Sequence, residues 1–440
     1  MGKVVCKFGG TSLADTGQLQ KVAGIIGQDA QRRFIVPSAP GKRTSDDTKI
    51  TDLLYLCQEM ARQKVDFREP FENISTRYGN LVQELGVDMK IGDLLDEVQE
   101  RISLGASQDY VASRGEFLCG KLLSALLGAT FVDPVETIRF RSNGRLDPIS
   151  YTLLEERLSG PGQFVIPGFY GSTPEGEIKT FSRGGSDITG AIVARAVRAA
   201  VYENWTDVSG MLMADPGMVP NAMPVEEITY REMRELAYMG AAVFHDEAMF
   251  PVMEADIPIH IKNTNRPEDP GTRIVPRRAL NDKQWIAGVA GRPDFTMVYI
   301  EKALMNQERG FGRKVLEIVE SHGISYEHTP SGIDTMSVII SDEELDGKGD
   351  LLLEDMQRIL EPDRVEMYPG LALTATVGEG MSHRIGVAAQ VFSALAEAGV
   401  NVRVIDQGAS EINIIVGVEE ADLQSALQAI YQAFVSEKGL

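Results

Sequence analysis

A chain of 440 residues with 43% hydrophobic and 24% charged side chains is longer than one core usually supports, so two or three globular domains are expected. Its formal net charge of −21 argues against nucleic acid or an anionic membrane as the main partner. Any anionic ligand must then be held by a few placed cations. Three cysteines (Cys6, Cys57 and Cys119) without C-x-x-C spacing, the lack of a signal-peptide pattern and the lack of an apolar run of about 18 residues predict a cytoplasmic protein without a membrane span.

The chain opens on a short apolar strand, Lys3-Val-Val-Cys-Lys-Phe8, that runs straight into Gly9 and Gly10. A strand ending this way delivers the Lys7 ammonium to the rim of a sheet, beside backbone bare enough for an anion to approach. Leu19, Val22, Ala23, Ile25 and Ile26 have helical spacing, and Phe34-Ile-Val36 reads as a second strand, ending at Pro37 and Ser38. From Thr51 to about Leu127 the pattern is helical, an excursion expected to form a lid or flank over one side of the sheet. Further strands are predicted at 130–132 and 163–166, the latter running into Gly168, at 201–205 before Thr206 and Asp207, and at 257–261 before Lys262. Between them, Arg183-Gly-Gly-Ser-Asp187 precedes a small-residue helix and reads as a capped N-terminus suited to an anion.

Strands alternating with helices predict an α/β fold, a mostly parallel open sheet sandwiched by helices, with the ligand outside the carboxyl ends of the strands. Those ends carry cations, small donors, a carboxylate and glycines, which describes a nucleotide and phosphate pocket. Gly115-Glu-Phe-Leu-Cys-Gly-Lys-Leu122 nearly matches a Walker A motif, but Leu122 replaces the magnesium-binding hydroxyl and the flanks are helical. The five histidines have no ligand spacing, so no protein-held metal is expected. Magnesium carried by a nucleotide could still touch Asp187 or Asp207.

A basic, proline-containing stretch from Arg273 to Asp282 reads as a linker, after which the sequence repeats itself. Gly310, Val315, Gly323 and Ile324 recur as Gly386, Val391, Gly399 and Val400, each offset by 76. Each copy is predicted to run helix, turn, strand, turn, strand, the first through 324–326 and 335–339, the second through 400–402 and 411–415. Such a pair is either a tandem ligand sensor or a duplicated dimerisation module.

Lys7-Phe-Gly-Gly-Thr-Ser12, Arg183-Gly-Gly-Ser-Asp187, Trp205-Thr-Asp-Val-Ser-Gly210 with Ala214-Asp-Pro216, and Ile261-Lys-Asn-Thr264 together resemble the signature set of aspartate kinases in the amino acid kinase superfamily. The repeat, with Gln407-Gly-Ala-Ser-Glu-Ile-Asn413, resembles that family's pair of ferredoxin-like βαββαβ ACT domains. The resemblance covers nearly the whole chain and is weakest between about Val65 and Ala106. It implies a monofunctional enzyme with a catalytic domain at 1–284, a first ACT domain at 285–365 and a second at 366–440. The implied reaction is transfer of the ATP γ-phosphoryl group to the side-chain carboxylate of L-aspartate, the first step of lysine, threonine and methionine biosynthesis.

By the same resemblance Lys7 would neutralise the transferring group and Asp187 would orient it or the magnesium. Arg183 would take the substrate's α-carboxylate, with Gly184, Gly185 and Ser186 beside it, Glu116 would take the ammonium and Thr51 would assist. Gly9, Gly10 and Ser38 would meet the phosphates, with Thr206, Asp207, Gly210, Leu212 and Lys262 on the nucleotide side. Leu212 and Gly217 depart from the tyrosine and arginine common there. An amino-acid effector, lysine or threonine or both, would bind around Met305, Glu308, Gly310 and Phe311 with Glu327, Asp334 and Thr335, and the ACT pair would assemble a homodimer or larger homo-oligomer. The competing readings are an amino acid kinase with a glutamate-type acceptor and a non-catalytic amino-acid sensor.

Overall fold

A computed structural model describes residues 2–182, 184–241, 244, 246–279 and 285–436. It divides into two compact units, one of Met1–Met211, Pro224–Tyr230 and Val243–Arg278, the other of Leu212–Met223, Arg231–Ala242 and Ala279–Leu440.

The first unit is built on an eight-stranded sheet. Its strands are β1 (Val4–Phe8), β2 (Arg32–Pro37), β3 (Thr130–Phe131), β4 (Phe164–Val165), β5 (Val201–Thr206), β6 (Glu227–Thr229), β7 (Ile259–Asn263) and β8 (Thr272–Val275), in the order β6-β8-β7-β5-β1-β2-β4-β3. Every neighbouring pair is parallel except β7 with β8. β1 is buried at all five positions, as a central strand covered on both faces must be. The predicted linker therefore begins inside the fold, because Thr272–Val275 pairs with two strands and Thr272 and Ile274 are fully buried.

The helical excursion consists of α2 (Ile50–Arg62), α3 (Arg68–Leu85), α4 (Ile91–Ser103) and α5 (Gln108–Leu127), following α1 (Thr16–Gly27). Its apolar faces close over α1 and one side of β1, joining Leu54, Ile74, Tyr78, Val98 and Leu118 to Cys6, Phe8 and Trp205 in one core. Ser107 caps α5 by accepting the Tyr110 N–H, and Gly86 and Gly128 end α3 and α5 in left-handed conformations that glycine adopts without strain. The Walker-like stretch lies inside α5 with no strand before it. On the other face lies α6 (Gly185–Val197), whose Gly190 allows close approach to the sheet, since a Cβ there would sit 2.4 Å from the Tyr202 hydroxyl.

The second unit holds a five-stranded antiparallel sheet of β9 (Gly288–Glu301), β10 (Thr335–Ser341), β11 (Arg364–Val377), β12 (Val404–Asp406) and β13 (Asn413–Glu419), ordered β10-β9-β11-β13-β12. The long strands β9 and β11 serve both repeats. Residues 288–292 of β9 pair with 373–377 of β11, while 295–301 pair with 364–371 and with β10. The helices of the repeats are Phe311–Ser321 with Gly349–Leu360, and Val387–Glu397 with Leu423–Ser436. The strand expected at 324–326 is absent, leaving only isolated bridges from His328 and Ser331 to β10, and the strand expected at 400–402 forms at 404–406 instead. No helix among the described residues is long and apolar enough to cross a membrane.

Candidate active site

The parallel order carries β1, β2, β5 and β7 side by side, so their carboxyl ends share one rim of the sheet. Lys7 on β1 stands opposite Asn204 on β5. Side chains alternate along a strand, so this register aims both at the face covered by α6. There they meet one carboxylate oxygen. Lys7 Nζ lies 2.6 Å from Asp187 Oδ1, and Asn204 Nδ2 donates to the same atom at 2.7 Å. The Tyr202 hydroxyl donates to the Asp187 backbone carbonyl at 3.1 Å. The first turn of α6 is thus pinned to β5 through both its backbone and its side chain. Gly184, with φ +57°, forms the turn into the helix, and Ser186 packs against Gly168, where a Cβ would come within 2.5 Å of its Oγ. Arg183 lies outside the described residues.

The opposite face of the same strands is arranged differently. Glu203 accepts from Arg32 Nε at 2.8 Å, Trp205 Nε1 at 2.9 Å and Cys6 Sγ at 3.4 Å. Burial, with the Glu203 carboxylate beside it, pushes the Cys6 thiol well up. This cluster is saturated and structural. Lys262 lies on the same face, its Nζ 5.3 Å from the centre of the Trp205 ring.

Two glycine-bearing loops interlock at the rim. The Gly9 N–H donates to the Trp205 carbonyl at 2.9 Å and the Gly41 N–H to the Gly10 carbonyl at 2.8 Å. A Cβ on Gly10 would sit 2.9 Å from the Ala39 carbonyl, so the glycine is required by loop contact as well as by any anion. Ser38 is half-buried and its N–H reaches the Phe8 carbonyl. On the other side of β1, Thr206 Oγ1 bonds Asp207 Oδ1 at 3.2 Å, and Asn263 Nδ2 donates to the Asp207 carbonyl and to Ser209 Oγ. Gly210 has φ +98° and faces Thr272 Oγ1 with no room for a Cβ. A buried contact between the Ser12 and Thr264 hydroxyls, 2.8 Å apart, ties the β1 loop to the end of β7.

Glu116 on α5 is buried, and its Oε2 finds no hydrogen-bond partner among the described residues. Burial pushes its carboxyl up to about 7, against the opposing pull of the Ala39 amide, Arg114 and Lys7. A buried carboxylate raised by desolvation, with an orphan oxygen, is suited to receive a cation. Thr51 lies in the first turn of α2, with Lys49 at the N-cap position, so it is not the residue that caps that helix.

An amino acid kinase family model matches residues 2–263, and an ACT domain model matches 375–434. The chain belongs to the amino acid kinase family. Within it the chain groups with the aspartokinases, being 41% identical to aspartokinase 3 of Bacillus subtilis (strain 168), with 98% of each chain covered. The aspartate kinase of Clostridium acetobutylicum, described as an allosteric enzyme, matches with a TM-score of 0.91 and 51% identity over 99% of this chain and 100% of that one. Escherichia coli aspartokinase III, solved with aspartate and ADP in an R-state and with lysine and aspartate in a T-state, matches with TM-scores of 0.77 and 0.74 at 28% identity, over 98% of this chain and 99% of that one.

Of the effector residues expected by resemblance to aspartokinases, six come together in the second unit. Met305 and Phe311 are buried in one core, Gly310 caps the helix that Phe311 begins, and Thr335 opens β10. Asp334 Oδ1 accepts the Leu304 N–H at 2.9 Å. Glu308 is engaged by Lys302 at 2.8 Å and Lys314 at 2.7 Å, which hold its carboxyl below the usual range. Glu327 stands apart, its N–H bonded to the Ile339 carbonyl towards the far end of β10 and its carboxylate 3.9 Å from Arg292. Leu212 and Gly217 also belong to this second unit. Asn204 and the Ser12–Thr264 contact were not anticipated. The available signal for Asn204 was an amide between Glu203 and Trp205 in a strand that carries Val201, Tyr202 and Trp205 as its apolar positions.

Proposed function

We propose that this aspartokinase-family chain transfers the γ-phosphoryl group of ATP to the side-chain carboxylate of L-aspartate, giving 4-phospho-L-aspartate and ADP. A carboxylate oxygen bonds to the γ-phosphorus as the bond from that phosphorus to the β–γ bridging oxygen breaks, and the electron pair leaves with ADP. The acceptor is already a nucleophile at neutral pH, so the chain's task is positioning and charge neutralisation. The observation that carries this reading is the Lys7–Asp187–Asn204 constellation at the strand ends, with Lys7 and Asn204 buried and the orphaned Glu116 carboxylate nearby in charge range of Lys7.

In this reading Lys7 stabilises charge on the transferring group and Asp187 fixes its direction. Glu116 receives the substrate ammonium, Arg183 its α-carboxylate, and Thr51 and Ser186 complete the acceptor side beside Gly184 and Gly185. Gly9, Gly10 and Ser38 border the phosphates, and Thr206, Asp207, Gly210 and Lys262 lie towards the nucleoside. Among the described residues no group of three or more His, Cys, Asp or Glu side chains could hold a metal. Single carboxylates such as Asp187 and Asp207 suit magnesium that arrives with the nucleotide, which when bound supplies charge neutralisation at the phosphates. The ACT unit is assigned an amino-acid effector, with lysine favoured by the acidic Asp334, and assembly into a homodimer or larger homo-oligomer in the cytoplasm.

The test is ADP release with aspartate, with glutamate and with no acceptor. Release on aspartate alone supports the reading. Release on glutamate would favour a different acceptor class, and no release with any acceptor would favour a sensor.

A further inference from the structure

We propose that Arg77 and Tyr78, consecutive residues on α3, are positioning residues for the carboxylate acceptor, and that the helical excursion sets the geometry of that side of the site. The inference rests on the acceptor reading of Glu116 given above. α3 lies in the stretch where resemblance to aspartate kinases is weakest, so no signature motif draws attention to it.

Both side chains are buried, and each reaches out of the helix to backbone that carries site residues. The Arg77 guanidinium donates to the Ala14 carbonyl at 3.0 Å, the Thr48 carbonyl at 3.3 Å and the Gly41 carbonyl, and lies 3.5 Å from Asp47 Oδ2. Ala14 follows the Gly9–Gly10 turn, Gly41 follows Ser38, and Thr48 precedes the α2 turn that holds Thr51. One planar fork therefore ties the loop after β1 to both ends of the loop after β2, a geometry that a lysine ammonium cannot reproduce. The Tyr78 hydroxyl donates to the Gly115 carbonyl at 2.8 Å, next to Glu116.

These contacts close a ring. A Cβ on Gly115 would sit 2.8 Å from the Ala39 Cβ, so α5 touches the β2 loop where the Ala39 amide faces the Glu116 carboxylate. Arg77 fixes one wall of this space and Tyr78 the other, neither touching the reacting atoms. A purely structural role would lower stability without singling out one substrate. A positioning role acts on aspartate and spares ATP.

The experiment measures steady-state kinetics of Tyr78→Phe and Arg77→Lys on the full chain, varying aspartate at saturating ATP and the reverse, with Glu116→Gln alongside. Loss of one neutral hydrogen bond predicts an aspartate KM raised about three- to tenfold in Tyr78→Phe, with ATP KM within about twofold. Arg77→Lys is expected to show the same split with a larger rise. The proposal is overturned by an aspartate KM within about twofold of wild type in Tyr78→Phe, or by equal rises in both KM values. Should Arg77→Lys fail to fold, Tyr78→Phe alone decides. If Glu116→Gln also leaves aspartate KM unchanged, the acceptor reading itself fails. If it raises KM while Tyr78→Phe does not, only the positioning role is lost.

Discussion

Replacing Glu116 by glutamine should weaken aspartate binding and, above neutral pH, make the folded chain more stable. Burial raises this carboxyl from 4.5 to about 7, a difference of about 2.5, and at about 1.4 kcal/mol per pH unit its ionisation costs about 3 kcal/mol more in the folded chain than in the unfolded one. The folded value lies above the unfolded value. The contribution to stability is therefore complete below about pH 4.5, declines between about 4.5 and 7, and is lost above about 7. Glutamine cannot ionise and escapes that cost, so the variant's advantage should appear at pH 8 and vanish near pH 5. Function runs the other way. Only the ionised form attracts an ammonium, so 1/KM for aspartate in the wild type should fall as pH drops below about 7, approaching tenfold per unit. Loss of a charge-assisted bond worth roughly 1.5 to 3 kcal/mol predicts a KM rise of about tenfold to a hundredfold in the variant, without that pH dependence. Thermal melts at pH 5 and 8 and coupled ADP release across the range check both halves. An aspartate KM within about twofold of wild type, titrating in parallel with it, would refute the reasoning.

Lys7→Met should abolish turnover while calorimetric aspartate affinity stays near normal, because the ammonium acts on charge that develops in the transferring group; near-normal kcat would remove Lys7 from the mechanism. Asn204→Ala frees Asp187 from its second donor and should lower kcat about tenfold with both KM values nearly unchanged, whereas a change confined to KM would assign Asn204 to binding. Saturating lysine or threonine, alone or together, should lower initial rates, since an effector that favours one global state must shift the other. Unchanged rates and unchanged thermal stability with all three additions would contradict an effector role for the ACT unit.

The parallel sheet and its ligand-bearing rim were legible because each strand end breaks from an apolar run into glycines or small polar residues, as at Lys7-Phe-Gly-Gly10 and Pro37-Ser38. Register was not. That Lys7 stands opposite Asn204, and that both point to the α6 face, depends on which strands become neighbours, and no local pattern carries that. Arg77 was hidden for a similar reason, since an arginine in an amphipathic helix normally belongs to its solvated face. The repeat was visible, but its interleaved sheet was not. Gly291-Arg-Pro-Asp294 has the composition of a strand-ending turn, yet β9 continues through it by an irregularity at which Asp294 adopts φ +64°. One strand thereby serves both repeats.

A chain with net charge −21 binding two anionic substrates must make a few fixed groups outweigh the rest. At physiological ionic strength the Debye length is about 8 Å, so most surface carboxylates are screened from the rim of the sheet, whereas a cation about 4 Å from a phosphoryl oxygen contributes about 4 kcal/mol at an effective dielectric constant of 20. The difficulty lies in keeping such a cation in a fully buried strand, where an unpaired charge is strongly destabilising. Asp187 solves this at 2.6 Å, but a free carboxylate would then compete with the incoming phosphate for the same ammonium. Asn204 and Tyr202 hold Asp187 on the α6 side, by its side chain and its backbone respectively, an anchorage that, under the proposed function, would keep the counter-charge in place as the ammonium meets a ligand. Under the proposed function, the ion pair seen here would give up its ammonium to a phosphoryl group by rotation of the lysine side chain, with no rearrangement of the fold required.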